Sequence, residues 1–317
     1  MEIAHIPVLL EETLRYLAPR SEGELMVDAT LGEGGHSYVF LSRFPKLRII
    51  GIDADREIQE VARERLKEFG DRIQFYTGWS QDFLGDLKRD RKRPDTILLD
   101  LGVSRYHYEK SRRGFSFRKD EVLDMRIDPG KGIPAAQILE GISERDLADL
   151  IYKYGEERHS RRIARAIVEA RSRSAVTGSA VLAEIVERAV PSGRGRGSIH
   201  PATRTFQALR IAVNGELSRL PDLLDAALGA LDPGGRLGVI SFHSLEDRII
   251  KNYFREKNKD CTGTPEAPIY RGEGQRLITI LTRKAVSPGE EEIKNNPPSR
   301  SAKLRVVEKV LDKDGRL

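Results

Sequence analysis

A glycine-rich turn with an acid at its start follows the first apolar run of the chain. The segment is Asp28-Ala-Thr-Leu-Gly32-Glu-Gly34-Gly35-His36. Glycines between a strand and a helix let the backbone approach a ligand closely, and the first helical turn presents free N–H groups to it. The turn therefore predicts a binding loop for a nucleotide-like cofactor, which His36 contacts without acting as an acid or base.

A second acid, Asp53, ends the next apolar run, Gly51-Ile-Asp53. In dinucleotide-binding folds, a carboxylate at this point accepts hydrogen bonds from ribose hydroxyls. The glycines are not spaced as G-x-G-x-x-G, and Asp28 is placed to meet the amino group of a methionine moiety. This pattern favours S-adenosylmethionine (SAM), with a dinucleotide or a turn without ligand as the alternatives.

Two aromatic residues follow the third apolar run, where a bound adenine would lie. Trp79 is the only tryptophan of the chain, and Phe83 comes four residues later. An aromatic ring there can pack on adenine or belong to the core. Because Trp79 is closer to the predicted strand end, we expect Trp79 to contact the cofactor.

A third acid, Asp100, ends the fourth apolar run, Ile97-Leu-Leu-Asp100. Ligands and chemistry gather at the carboxyl ends of strands in open α/β sheets. In methyl transfer to an exocyclic amine, a carboxylate there can accept one N–H and favour the tetrahedral amine of the transition state. Asp100 is the candidate catalytic residue, and a cap on the next loop is the alternative. His243 follows a later strand and is expected to face the same crevice.

Apolar runs alternate with helical patterns around these residues, which is typical of a doubly wound parallel sheet. Predicted strands cover residues 25–29, 47–52, 73–76 and 96–99, and predicted helices cover 37–44 and 56–69. The alternation then stops at a long loop, 105–135, followed by helices at 144–154, 160–173 and 181–190 and a Gly/Arg-rich loop at 191–198. It resumes with helices within 203–231 and strands at 236–242, 276–283 and 303–310. We therefore expect an α/β domain over 1–108 and 209–317, interrupted by a helical domain at 109–208.

The positive charge is concentrated in the predicted insertion. The 317 residues carry 54 Lys+Arg and 49 Asp+Glu, a net charge of +5. Residues 1–110 have a net charge of −3, residues 111–209 of +5 and residues 210–317 of +3. A basic segment beside an acidic one suggests a polyanionic partner, although solvated helices also carry such charge.

Composition excludes several classes of protein. With 39% apolar and 32% charged residues, the chain is too apolar for an intrinsically disordered protein. It has no apolar run of about 20 residues that could cross a bilayer, and its first residues do not resemble a signal peptide. The single cysteine, Cys261, and the scattered histidines predict neither a disulfide framework nor a metal site. We expect a cytoplasmic protein without a membrane partner.

Nine longer motifs run in order along nearly the whole chain. They cover residues 5–10, 28–37, 100–104, 113–117, 123–126, 154–158, 200–211, 241–248 and 299–305. Together they resemble the bacterial 16S rRNA (cytosine-N4)-methyltransferase family of the MraW type. The resemblance implies a Rossmann-like SAM-dependent methyltransferase sheet with an inserted helical RNA-recognition domain. It also implies methylation of the N4 amine of a cytidine in the decoding region of 16S rRNA, in the small ribosomal subunit.

The resemblance also implies site residues. By motif position, the SAM contacts are Gly34, Gly35, His36, Asp53, Trp79, Asp100 and His107. His107 departs from the family, because Ser104-Arg-Tyr-His107 stands where members usually have Ser-Ser-Pro-Gln. Trp79 replaces a usual Phe or Tyr and preserves stacking. No DNA partner is expected, and the chain could be a monomer or a dimer.

Basic and aromatic residues of the insertion are the candidate RNA contacts, since arginines grip phosphates and aromatic rings stack on splayed bases. With His243, the candidates are Arg112, Arg113, Phe115, Phe117, Arg118, Arg194, Arg196 and Arg204. Solvated or ion-paired arginines and packed aromatic rings are the alternatives. Two other functions remain open on this fold: a dinucleotide-dependent oxidoreductase, and a non-catalytic RNA-binding assembly factor that keeps a SAM site.

Overall fold

A computed structural model describes residues 7–87, 93–190, 200–259 and 276–310. The chain divides into two units. The sheet unit is Met1–Gly102 with Arg219–Leu317, and the helical unit is Val103–Ser218. No helix in these described ranges is long and apolar enough to cross a membrane.

The sheet unit contains a seven-stranded sheet of order β3-β2-β1-β4-β5-β7-β6. Its strands are β1 (Leu25–Asp28), β2 (Arg48–Asp53), β3 (Ile73–Thr77), β4 (Thr96–Asp100), β5 (Arg236–Ser241), β6 (Ile278–Ile280) and β7 (Lys303–Lys309). β1 to β5 are parallel, whereas β7 runs antiparallel to both β5 and β6. The predicted doubly wound α/β sheet is confirmed, with an antiparallel edge that the pattern of apolar runs did not reveal.

Thirteen α-helices of four or more residues occur in the described ranges. They are α1 (Leu10–Leu17), α2 (Gly35–Arg43), α3 (Arg56–Leu66), α4 (Ser80–Leu87), α5 (Arg105–Glu109), α6 (Ala135–Gly141), α7 (Glu144–Gly155), α8 (Ser160–Arg171), α9 (Ser179–Ala189), α10 (Ala202–Asn214), α11 (Glu216–Ala230), α12 (Ser244–Lys257) and α13 (Glu290–Asn295). Of these, α1, α4, α5, α6, α12 and α13 were not predicted. The α7, α8 and α9 predictions agree with the structure to within two residues at each end.

Helices cover both faces of the sheet, so the central strands are apolar throughout. Successive side chains of a strand point to opposite faces. Val27 lies in one buried cluster and its neighbour Met26 in another. Leu98 and Leu99 divide between the same two clusters. Strands buried on both faces become continuous apolar runs, which is why the sequence revealed β1 and β4 clearly.

The helical unit has its own core and extends beyond the predicted limits of 109 and 208. Val103 packs against this core. At the other end, Asn214 ties α10 to the irregular segment before α6. Its Oδ1 accepts from the Ile127 N–H at 2.8 Å, and its Nδ2 donates to the Met125 carbonyl at 2.8 Å. These contacts hold residues 103–108 and 209–218 in the helical unit.

Candidate cofactor and active site

Three acids end adjacent strands at one edge of the sheet. Asp28 ends β1, Asp53 ends β2 and Asp100 ends β4. Because β1 pairs in parallel with both β2 and β4, Asp28 lies on the strand between the other two. The structure thus brings together the three carboxylates that the sequence singled out separately.

Asp28 is a buried carboxyl with one oxygen left for a ligand. Its side chain is 2% exposed, and the Ser37 hydroxyl donates to its Oδ2 at 2.7 Å. Its Oδ1 has no hydrogen-bond partner among the described residues. Burial raises the pKa of Asp28 to about 6, opposed by hydrogen bonds from the Ser37 hydroxyl and the Thr30 backbone and assisted by the charge of Asp53. A buried acceptor without a donor is costly, so this oxygen fits a ligand that brings a cationic N–H.

Asp100 is positioned by Thr30 and His36. Its backbone N–H donates to Thr30 Oγ1 at 2.5 Å, and its Oδ2 lies 3.7 Å from Nε2 of the buried His36. The side chain of Asp100 keeps 25% of its surface exposed. Burial of the rest raises the pKa of Asp100 well above its usual range, and the charges of Asp28 and Glu246 add to the rise. A cation beside this carboxyl would restore its ionised form.

The glycine turn holds Asp53 in place. The Gly32 N–H donates to Asp53 Oδ2 at 2.8 Å, and the Asp55 N–H donates to Oδ1 at 2.8 Å. Each carboxylate oxygen has a second lone pair, which suits two ribose hydroxyls. Gly34 has φ +75°, and a Cβ there would lie 2.9 Å from a methyl group of Leu66. The turn therefore needs glycine for its conformation and for its packing.

Trp79 lies just after β3, with one face of its ring covered. The Arg219 guanidinium carbon is 4.3 Å from the ring centroid. The alternative aromatic residue, Phe83, packs on Tyr76 with centroids 4.6 Å apart and contacts the apolar core. This packing leaves Trp79 as the candidate ring for adenine. Arg219 was not singled out in the sequence, because it is 140 positions away from Trp79.

His243 follows β5 and caps α12 together with Glu246. The Phe242 N–H donates to Glu246 Oε2 at 2.9 Å, and His243 Nε2 lies 3.2 Å from Glu246 Oε1. Both side chains are at most 10% exposed. Sequence reasoning missed Glu246, although the spacing His-Ser-Leu-Glu resembles a capping box. The buried Glu246 orients His243 and adds negative charge near Asp100.

The other cofactor candidate, His107, lies in the helical unit. Its Nδ1 accepts from the Ser104 N–H at 3.2 Å, which caps α5. Its ring packs edge-on against Phe115, with centroids 5.1 Å apart. His107 therefore has a local structural role, and its contact with a cofactor stays a prediction.

The candidate RNA contacts differ in how much surface they offer. Arg113 is buried, and its guanidinium donates to the Arg126 and Ile127 carbonyls at 2.9 and 2.8 Å. Phe115 is 4% exposed and belongs to the helical core. These two residues have little surface to offer an RNA. Arg113 anchors two backbone carbonyls of the segment at 105–135, and Phe115 packs in the core. Arg204 is 44% exposed and lies 3.7 Å from Glu157.

Two RNA candidates, Arg194 and Arg196, lie outside the described residues. Arg112 and Arg118 are exposed, so their positive charges lie at the surface of the helical unit. Phe117 stacks on His200, with ring centroids 4.5 Å apart. Among the described candidates, Arg112, Arg118 and Arg204 are thus exposed, whereas Arg113 and Phe115 are buried.

The residues at the sheet edge fit SAM as a cofactor. Asp28 offers an unpartnered carboxylate oxygen for an ammonium group, and Asp53 is held in a position suited to a ribose. The N-terminus of α2 has no side-chain cap at Gly34, so its N–H groups are available to a ligand. Trp79 supplies an aromatic ring. No described group at this edge requires a different cofactor.

Comparison with known proteins agrees with the geometry. The model of the MraW methylase family matches residues 2–310. "Ribosomal RNA small subunit methyltransferase H" of Treponema denticola is 56% identical over 310 residues, which is 98% of each chain. The protein of the same name from Syntrophobacter fumaroxidans is 48% identical and covers 97% of both chains. That of Heliobacterium mobile is 44% identical over 98% of this chain and 100% of its own.

Proposed function

The chain belongs to the MraW methylase family, and from this premise we propose that it methylates the N4 amine of a cytidine in 16S rRNA. Its relatives carry the name of small-subunit rRNA methyltransferases. The cofactor is SAM, and the target cytidine lies in the decoding region. The observation that carries the proposal is the meeting of Asp28, Asp53 and Asp100 at the carboxyl edge of β1, β2 and β4.

Two of the three acids have separate tasks in holding the cofactor. Asp28 receives the amino group of the methionine moiety, and Asp53 accepts from the ribose hydroxyls. Trp79, held by Arg219, lies against the adenine. When bound, SAM supplies an electrophilic methyl group on its sulfonium. The ammonium and sulfonium charges offset the cost of ionising the buried carboxyls.

Asp100 acts on the nucleophile. The N4 amine of cytosine is a poor nucleophile because its lone pair is delocalised into the ring. An ionised Asp100 accepts a hydrogen bond from this amine and favours its tetrahedral form. That hydrogen bond strengthens in the transition state, which is what accelerates the reaction. Transfer would form the N–CH₃ bond and break the bond between the methyl carbon and the sulfonium sulfur. The N4 proton hydrogen-bonded to Asp100 would pass to that carboxylate, whose Oδ2 lies 3.7 Å from His36 Nε2.

Mapping of methylated cytidines tests the proposal. Mass spectrometry of 16S rRNA from cells with and without this protein should show one N4-methylated cytidine that depends on it. In purified form, Asp100→Asn should lower methyl transfer to small subunits by about 100-fold or more. The exposed acid Asp71 provides a control, Asp71→Asn, which should keep full turnover. Full turnover by Asp100→Asn would disprove the role given to this carboxyl.

Of the two functions left open by the sequence, the oxidoreductase is set aside by the family membership. The non-catalytic assembly factor is excluded if radiolabelled methyl groups from SAM enter small subunits in the presence of the protein. We expect the substrate to be the assembled subunit in the cytoplasm, with naked rRNA accepted less well.

A further inference from the structure

The helical unit carries all of the net positive charge of the chain. Val103–Ser218 contains 21 Lys+Arg and 15 Asp+Glu, whereas the sheet unit contains 33 and 34. A polyanionic partner is therefore attracted to the helical unit and not to the unit that holds the acids. The charge alone does not say which side chains bind it.

One groove on the helical unit brings together three cations that have no partner. Its lining residues are Glu109, Lys110, Arg112, Lys119, Asp120, Glu121 and Val122. Lys110, Arg112 and Lys119 are exposed. Within the described part of the chain, none of these three side chains has an ion pair or a hydrogen bond.

The acids of the same groove each have a donor of their own. Glu109 Oε1 accepts from Arg105 Nε at 2.5 Å. Asp120 Oδ1 accepts from the Ala180 N–H at 3.2 Å, and Glu121 Oε2 accepts from the Gly114 N–H at 3.1 Å. In this groove the carboxylates already accept hydrogen bonds, whereas the three cationic side chains do not donate any to the described residues. Such a set of donors suits an anion rich in oxygen atoms.

The backbone of Arg112 is unfavourable for an arginine. Its φ is +56°, in the left-handed region that glycine adopts freely. The segment is held on both sides, since the Lys110 and Ser111 N–H groups donate to the Tyr106 carbonyl and the Arg113 guanidinium is anchored to two carbonyls. A charged side chain in a strained, fixed position points to a use for that charge.

We propose that Lys110, Arg112 and Lys119 form a phosphodiester-binding groove that grips the backbone of the RNA substrate. The inference rests on the proposed function, which supplies an RNA as the partner. It assigns phosphate binding to three exposed residues that precede α6, and not to the buried Arg113.

Salt dependence of RNA binding tests the groove. The variant Lys110→Gln/Arg112→Gln/Lys119→Gln is compared with Arg158→Gln/Arg161→Gln/Arg162→Gln, which removes three exposed cations elsewhere in the helical unit. Fluorescence anisotropy measures the Kd for a single-stranded 20-nucleotide RNA from 50 to 300 mM salt. The groove variant should reduce the slope of log K against log salt by about 2, since each phosphate contact contributes roughly 0.7. The control variant should keep the wild-type slope. Equal slopes for the two variants, or an unchanged slope for the groove variant, would overturn the proposal.

A single substitution separates strain from binding. Arg112→Gly should raise the melting temperature by about 1–3 °C, because glycine relieves the left-handed backbone, and it should also weaken RNA binding. Arg112→Gly with unchanged RNA affinity would contradict the groove.

Methylation of small subunits by the wild type is measured in parallel. If the wild type methylates them and the groove variant keeps its slope, only the groove inference fails; if the wild type transfers no methyl group, the proposed function fails by itself.

Discussion

Asp28 and Asp100 are acids whose pKa is raised by their surroundings when no ligand is bound. Burial is the main cause of both rises. The charge of Asp53 adds to the rise at Asp28, and the charges of Asp28 and Glu246 add to the rise at Asp100. A ligand that brings positive charge reverses this balance and favours the carboxylates. At the residue scale, ionising these two carboxyls therefore costs free energy until a cationic cofactor binds beside them.

This balance predicts a pH-dependent gain in stability for Asp28→Asn. The pKa of Asp28 is raised to about 6, so the folded protein binds this proton more tightly than the unfolded chain does. The associated stability is present below the unfolded pKa, near 4, and is lost as pH rises through about 6. Asp28→Asn should stabilise the ligand-free protein by about 1–3 kcal/mol at pH 8 and have little effect near pH 4.

Chemical denaturation at the two pH values measures this difference, with Asp71→Asn as the control. Calorimetry should show that Asp28→Asn loses SAM affinity while it gains stability. A stability change of equal size at pH 4 and pH 8 would show that burial of the charge is not its cause.

Trp79 provides a spectroscopic test of the adenine site, because it is the only tryptophan of the chain. Arg219 covers one face of its ring at 4.3 Å and thereby holds the ring in position. Arg219→Met should change the tryptophan emission and weaken SAM binding by about two- to tenfold, the range expected for one cation–π contact. Emission during SAM titration measures both effects.

A second cation–π pair of the same unit serves as the control. Arg63 lies 4.4 Å from the Phe75 ring centroid. Arg63→Met should leave the SAM affinity and the emission unchanged. The positioning role of Arg219 is refuted if Arg219→Met binds SAM as the wild type does and keeps its emission spectrum.

At the element scale, the turn between β1 and α2 is the part of the site that tolerates least change. Gly34→Ala would place a Cβ in a left-handed conformation and 2.9 Å from Leu66. We expect a loss of about 1–2 kcal/mol in the free energy of unfolding, together with weaker SAM binding. Urea denaturation and calorimetry measure the two quantities.

Gly85→Ala in α4 is the matched control. A Cβ at Gly85 would meet open space. Alanine in a helix interior should stabilise the protein by about 0.5–1 kcal/mol and leave SAM binding unchanged. A loss of stability in both variants would mean that the strain assigned to Gly34 is not specific to the turn.

Helices that carry functional residues were the elements least visible in the sequence. α12 positions Glu246 and caps His243, yet only the strand before it was predicted. Its apolar residues Ile250 and Phe254 have helical spacing and are buried, so a signal was present. α4 has only eight residues, which is too short for a periodic pattern to stand out.

At the scale of the whole molecule, the two units differ in net charge, which suits the two ligands proposed for them. The acids that fit SAM lie in the sheet unit, and the excess of cations lies in the helical unit. Raising salt from 50 to 200 mM should therefore raise the KM for small subunits by about tenfold or more, since several phosphate contacts respond together. The Kd for SAM, measured from Trp79 emission, should change less than about twofold, because buried charges are screened little. Equal sensitivity of both constants would contradict this division.

The parallel strands and the acids at their ends could be predicted from residue types and spacing alone. Buried parallel strands are continuous apolar runs, and Asp28, Asp53 and Asp100 each stand at the residue where such a run stops. The apolar run and periodicity of a strand are local properties that a sequence displays. For the same reason the glycine turn and its cofactor could be predicted before any contact was known.

Which of the candidate side chains are exposed became visible once the packing of the chain was known. It buried Arg113 in contacts with backbone carbonyls, left Lys110 and Arg112 exposed, and placed Arg219 over a ring 140 positions away in sequence. The burial of a charged side chain and the contact of residues far apart in sequence depend on how elements pack, which the type and local spacing of those residues do not show. The residue types and spacing therefore indicated the chemistry of the candidate site, whereas packing set which of the candidate side chains are exposed and which are buried.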